Sequence, residues 1–217
     1  MLAPAPASAG AWIAPPEGQQ IWTNAVGENE AGVFSETSAY WEQPIEPRVA
    51  FVAAPWYVND PADAEHGWRA EATVGLKAAL VRGRAGVMAV QAGATWRSDP
   101  ERGCGEAGAE LRWLGGLSLG PSGAGFLNVE AAERLASGGC PHQRLDVTLG
   151  YHAGPHWLGM AQVFTDARRG QEALQGQLTV VRINDQGRGV QFGVRARLDD
   201  GRPEPALVLA FWGRPGD

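Results

Sequence analysis

Lysine is almost missing from this chain. Lys77 is the only one among 18 basic residues, although lysine is a favoured surface residue of soluble domains. No run of basic side chains exists to displace phosphate counterions, and the net charge is −6, so nucleic acid is excluded as a partner. No stretch approaches 18 consecutive apolar residues, which excludes a transmembrane helix. Helical periodicity is scarce along the whole chain. With 44% hydrophobic and 19% charged residues, the composition is not that of a disordered chain either.

What the chain does carry is 30 Gly and nine Trp, and the Trp count is high for a soluble domain. It also carries a period-two alternation that returns in runs of about ten residues between Gly/Pro/Asp/Asn clusters. In the stretch 190–199, Val190, Phe192, Val194, Ala196 and Leu198 share one face, while Gln191, Gly193, Arg195, Arg197 and Asp199 share the other. The split recurs at 68–77, where Trp68, Ala70, Ala72, Val74 and Leu76 oppose Arg69, Glu71, Thr73, Gly75 and Lys77. It is seen again at 106–113 and 144–152. Twelve strands are expected, over 19–27, 32–42, 48–58, 67–80, 86–97, 105–119, 125–136, 143–152, 157–166, 173–183, 189–199 and 205–213. Runs of this length suit tilted strands crossing a bilayer.

The connections fall into two alternating sets. One holds short turns such as 43–47, 82–85, 120–124, 153–156 and 184–188. The other (27–31, 59–66, 98–103, 137–142, 167–172 and 200–204) is on average longer and more polar. Short periplasmic turns and longer external loops characterise outer-membrane barrels, and an even strand count returns both termini to the periplasm. With the apolar parity outward, Tyr57, Trp68 and Trp96 fall near the external strand ends, and Trp41, Tyr151, Trp157 and Phe211 near the periplasmic ends. These are the two boundaries at which amphipathic rings collect. Trp113 lies nearer mid-strand.

The opposite parity places Glu36, Glu42, Arg69, Glu71, Lys77, Glu106, Glu110, Arg112, Glu130, Arg134, Arg144, Asp146, Arg195 and Arg197 on the inner face. Burying so many charges in a dry core would be costly, whereas a wet lumen of mixed sign accommodates them. The expected fold is therefore an all-β, antiparallel, up-and-down transmembrane barrel of about 12 strands. A secreted soluble β-sandwich that binds a ligand is the alternative architecture. Cys104 and Cys140 lie 18 residues either side of a turn centred near Ser122, so an antiparallel hairpin brings them level, at a separation suited to a disulfide in an oxidising compartment.

The first ten residues end in Ala7-Ser8-Ala9-Gly10. They fit the small-residue cleavage rule for export but lack a charged n-region and an apolar h-region. Residues 1–9 are read as a signal-peptide remnant or disordered leader, and 10–217 as one domain. The stretch Gly10-Ala-Trp-Ile-Ala-Pro-Pro-Glu-Gly18, with Ser38-Ala-Tyr-Trp-Glu42 ending the second strand, resembles the opening of uncharacterised alphaproteobacterial outer-membrane β-barrel proteins. The resemblance covers roughly the first forty residues. It implies a barrel in the outer membrane and brings no catalytic residues. Such barrels often finish on an aromatic residue, whereas here Phe211-Trp212 is followed by five more residues.

Enzymatic chemistry finds little support. Cys140 and His142 are far short of a tetrahedral metal set, and no cofactor or metal site is expected. A barrel-embedded lipid-modifying hydrolase remains the enzymatic alternative, but Ser35, Ser38 and Ser118 lie away from His152 and His156, with no Gly-x-Ser-x-Gly elbow. The favoured reading is a narrow pore or an envelope or polysaccharide-export component. Its charged lumen (Arg69, Glu71, Glu106, Glu110, Arg112, Arg144, Asp146, Arg195 and Arg197) contacts a small anionic solute or saccharide, with outer-membrane lipid around the wall.

Overall fold

A computed structural model describes residues 11–62, 67–83, 85–98, 104–120, 123–138, 140–168, 171–199 and 202–215. The expected leader 1–9, His66 and most of the tips of the two long connections lie outside them. Twelve strands follow one another in chain order: β1 (Gln19–Asn29), β2 (Gly32–Glu46), β3 (Val49–Asn59), β4 (Trp68–Arg82), β5 (Gly86–Arg97), β6 (Ala107–Leu119), β7 (Gly125–Ala136), β8 (Cys140–His152), β9 (Trp157–Arg168), β10 (Gln171–Ile183), β11 (Gly189–Asp199) and β12 (Arg202–Gly213). Every neighbouring pair is antiparallel, and β12 pairs back onto β1, Gln20 facing Gly213 and Gly27 facing Ala206. The sheet is one closed barrel, so the sandwich alternative is excluded.

Hydrogen-bonded partners traced once around the wall return to β1 about fourteen residues further along. With rises of about 3.3 Å and strand spacings of about 4.8 Å, that stagger gives a tilt of roughly 40°, within the usual barrel range. Two bulges, between Pro44 and Glu46 on β2 and between Ala79 and Val81 on β4, interrupt the ladder near the chain-terminus end. Opposite Gly150 the Phe126 ring lies flat across the strand pair. A Cβ at Gly150 would strike that ring, so glycine is what lets this aromatic lie down on the inner wall.

The alternation sorts as expected. Leu207, Leu178, Val33, Val194, Phe192 and Trp113 all point outward and are exposed, and the outward faces of the strand mid-sections are almost wholly apolar. A continuous apolar belt of this kind suits a lipid-facing surface, and its backbone is satisfied by ring closure. The seven aromatics expected at the belt's edges all project outward. Tyr57 stacks on Trp68 at 6.1 Å, Trp41 meets Phe51 edge-on at 5.4 Å, and the Arg182 guanidinium covers Trp157 at 5.3 Å.

The connections keep the expected asymmetry only on average. At the end away from the termini, only the segments after β3 and β5 are long. The turns after β1, β7, β9 and β11 are of two or three residues, because the strands run further than the alternation marked. β8 begins at Cys140 instead of 143, since Pro141 and Cys140 continue the ladder opposite Leu135 and Ala136. His142 is therefore an inward strand residue and not a loop residue. In the β6–β7 hairpin Gly108 faces Ala136 and Leu119 faces Gly125. The same register carried outward puts Cys104 level with Cys140, and the two form a disulfide with Cα atoms 5.8 Å apart.

Leu178 sits mid-belt, opposite Ala161 and Val194, and is 62% exposed. In lipid, Leu178→Arg is expected to destabilise the barrel by about 2–4 kcal/mol in urea unfolding from vesicles, although no buried contact is lost. A neutral effect would show that this face meets water. Replacing both Cys104 and Cys140 by Ser is expected to lower stability by about 2–4 kcal/mol in the same assay.

Candidate functional site

The inner wall divides into two zones. Towards the connections after β3 and β5 it is charged. Arg134 on β7 places Nη1 2.7 Å from the Glu71 carboxylate on β4, donates from Nε to Glu110 on β6, and reaches Thr73 with Nη2 at 3.3 Å. Glu71 also holds Arg97 at 3.2 Å, and Glu110 also holds Arg112 at 3.2 Å. Arg112 in turn reaches Glu130 at 2.8 Å. Because β4 and β7 are not neighbours in the wall, the Arg134–Glu71 pair is a chord across the lumen.

A second chord lies opposite. Arg195 on β11 pairs with Glu36 on β2 at 2.6 Å. Its Nε donates to Gln177 at 2.8 Å, Gln177 donates to Gln162 at 2.8 Å, and Gln162 donates to Thr148 at 3.2 Å. Arg197 lies 2.6 Å from Glu204 and 3.6 Å from Asp60, whose other oxygen accepts from Asn29. Together the two networks engage every strand except β3, and Asp60 joins them from just beyond its end. Such pairing lets a narrow interior hold many charges, because each buried ion has a counter-ion in reach.

Of the nine lumen charges expected from the sequence, Glu71, Glu110, Arg112, Arg195 and Arg197 enter these networks. Arg144 and Asp146 face inward on β8, 3.9 Å apart, and Arg69 faces inward on β4. Glu106 departs. It precedes β6, is exposed at the rim, and accepts from the Trp96 indole N–H at 3.4 Å, so Glu106 and Glu110 do not form an acid pair. Arg195 and Arg197 of β11 are expected from the sequence to meet an anionic solute in a lumen of mixed sign. Their partners are carboxylates from β2, β12 and the segment after β3, and strand alternation alone could not reveal which. The His142–Asp166 pair, at 2.7 Å, was also missed. His142 is buried, and its Nδ1 has no hydrogen-bond partner among the described residues.

Towards the chain termini apolar side chains line much of the inner wall. Val87, Ala89 and Leu114 form one buried apolar cluster with Ala11, and Phe126, Leu158, Met160 and Val181 form another. Trp12 packs against both, meeting Phe126 edge-on at 6.4 Å. Residues 11–18, expected to belong to the barrel domain, thus lie inside the barrel and not in its wall. Beside them Lys77 and Glu42 form an ion pair of 2.6 Å with both side chains wholly buried. Lys77 donates to the Trp12 carbonyl at 2.8 Å, and Glu42 accepts from the Ala14 N–H at 2.8 Å and from the Tyr40 hydroxyl at 2.6 Å.

The chain matches no protein-family model and no curated protein by sequence. Among solved structures it is similar to KdgM porin, with a TM-score of 0.66 and 4% identity over 89% of this chain and 97% of that one. It is similar also to KdgM porin in complex with disordered oligogalacturonate, with a TM-score of 0.65, 4% identity and the same coverage. NanC porin gives a TM-score of 0.63 and 8% identity over 89% of this chain and 98% of that one. The fold is that of a porin barrel. At identities of 4–8% the likeness is one of architecture and carries no correspondence between residues.

Arg134 sits between two carboxylates, so Arg134→Ala leaves Glu71 and Glu110 short of a counter-charge in a confined space. The loss expected in urea unfolding is about 3 kcal/mol. Replacing Glu110 by Gln in the Arg134→Ala background should recover part of it.

Proposed function

We propose that this chain is a narrow outer-membrane pore with both termini in the periplasm, passing a small anionic solute or saccharide. The observation that carries this reading is the pairing of a lipid-type outer wall with an inner zone crossed by two charged chords. A barrel serving only as an anchor has no need of strand-to-strand relays of Arg, Gln and Thr. Hydroxyl-rich solutes exchange hydrogen bonds with Gln162, Gln177 and Thr148, and an acidic group on the solute exchanges with Glu36 at Arg195. That KdgM porin, a likeness in fold, has been solved in complex with oligogalacturonate supports a saccharide as the solute class. The resemblance of residues 10–42 to alphaproteobacterial outer-membrane barrels supports the compartment. The disulfide fits the oxidising environment that export provides.

Fractionation should place the protein with outer membranes, and the unheated barrel should migrate faster than the heated chain on detergent gels. In planar bilayers, reversal potentials across a salt gradient are expected to shift towards cations in the Arg195→Ala/Arg197→Ala variant, because Glu36, Asp60 and Glu204 lose their counter-charges. An unchanged reversal potential would remove these arginines from the conduction path. A folded barrel that carries no current, whether or not residues 11–18 are in place, would overturn the pore itself.

A further inference from the structure

Lys77 and Glu42 make an unusual investment for a pore wall. Both side chains are fully buried on the inner face. Three hydrogen-bond distances explain their position. The ammonium has three donors, and they meet the Glu42 carboxylate at 2.6 Å, the Trp12 carbonyl at 2.8 Å and the Tyr40 hydroxyl at 3.4 Å. The second Glu42 oxygen takes the Ala14 N–H. The pair thus offers one donor and one acceptor at the spacing of a carbonyl and an N–H two residues apart, which is how a protein grips an extended peptide backbone.

The rest of the seat is shaped for the side chains of that peptide. Trp12 touches apolar clusters contributed by β5, β6, β7, β9 and β10, with Ile183 of β10 and Trp212 of β12 alongside, while the grip comes from β2 and β4. The segment therefore reaches across the lumen instead of lying along one strand. The wall is cut away to receive it. A Cβ on Gly116 of β6 would collide with the Trp12 indole, so only glycine leaves room for the ring. Ala11 is fully buried and Ala14 nearly so, and Gln43 closes the far side with a contact of 3.4 Å to the Pro16 carbonyl. Gly18, in the left-handed region at φ 78°, then turns the chain into β1.

We infer that the inner wall at the terminus-side mouth is a peptide-binding site, and that its occupant is the chain's own segment 11–18, a plug that limits passage through the barrel. The inference rests on the pore reading above. Lys77 is the latch. A compact ammonium can satisfy three acceptors around one point where a planar guanidinium could not, which suits lysine to this position.

Two measurements on the full chain test it. The native cysteines are bridged, so Ala14→Cys provides a single thiol for a maleimide reagent. A docked plug should protect it at least tenfold relative to the urea-unfolded chain, and labelling at the unfolded rate would overturn the inference. Single-channel conductance of folded, heat-modifiable protein should rise severalfold on Trp12→Gly and on deletion of residues 1–17. Deletion keeps the test sound if Trp12→Gly alters assembly. Equal conductance in all three forms would overturn the plug and leave the pore standing. Absence of current even from the deleted form would instead overturn the pore, and the plug's role with it.

Discussion

Ring closure is the constraint on which everything else hangs. Twelve strands that hydrogen-bond only to one another leave no edge, and a wall without an edge can face hydrocarbon without orphaned backbone groups. Closure also turns period-two alternation into an inside and an outside along each strand. The stagger of the ladders sets the tilt, and the tilt with twelve strands sets how wide the interior can be. At that width, side chains as long as Arg and Glu meet across the lumen. The chords from Arg134 to Glu71 and from Arg195 to Glu36 are consequences of the strand number as much as of the residues themselves.

Within this interior, charge and apolar surface are kept apart along the axis. The charged zone is tolerated because its ions are matched, often twice over, so that desolvation is offset by neighbours already in place. The terminus-side zone uses another solution. Small and apolar side chains on β5, β6, β7, β9 and β10 make a surface that would be poor company for water, and Trp12 covers it. The Lys77–Glu42 pair in that zone is satisfied partly by Tyr40 of β2 and partly by the Trp12 carbonyl and Ala14 N–H of the covering segment. The two zones fit a conduit in which one part recognises a solute and another controls whether it can pass.

Much of this barrel could be read from the chain alone. The alternation in 68–77 and 190–199 marked which side chains face in, and the register of the β6–β7 hairpin followed from the spacing of Cys104 and Cys140 about position 122. These succeed because strand periodicity and hairpin register are local properties. Strand ends were less legible. β2 runs on to Glu46 through Pro44, and β8 starts at Cys140, because a ladder extends wherever its neighbour offers a partner. Glu106 was misplaced for a related reason, since parity loses its meaning just beyond a strand end. The plug was invisible: the stretch 11–18 was read as the start of the barrel domain, and it shows no alternation that would place it inside the lumen instead of in the wall.

By itself the sequence determined the fold class, the strand order, the two faces of each strand and the disulfide. All of these follow from contacts between residues near in the chain or related by a simple hairpin count. Only the tertiary structure decided which charges neutralise one another and what fills the lumen. Arg195 and Glu36 are 159 residues apart, and Lys77 stands 65 from the Trp12 carbonyl it holds. Such partners are set by the curvature and stagger of the closed wall, which exist only once the last strand has met the first.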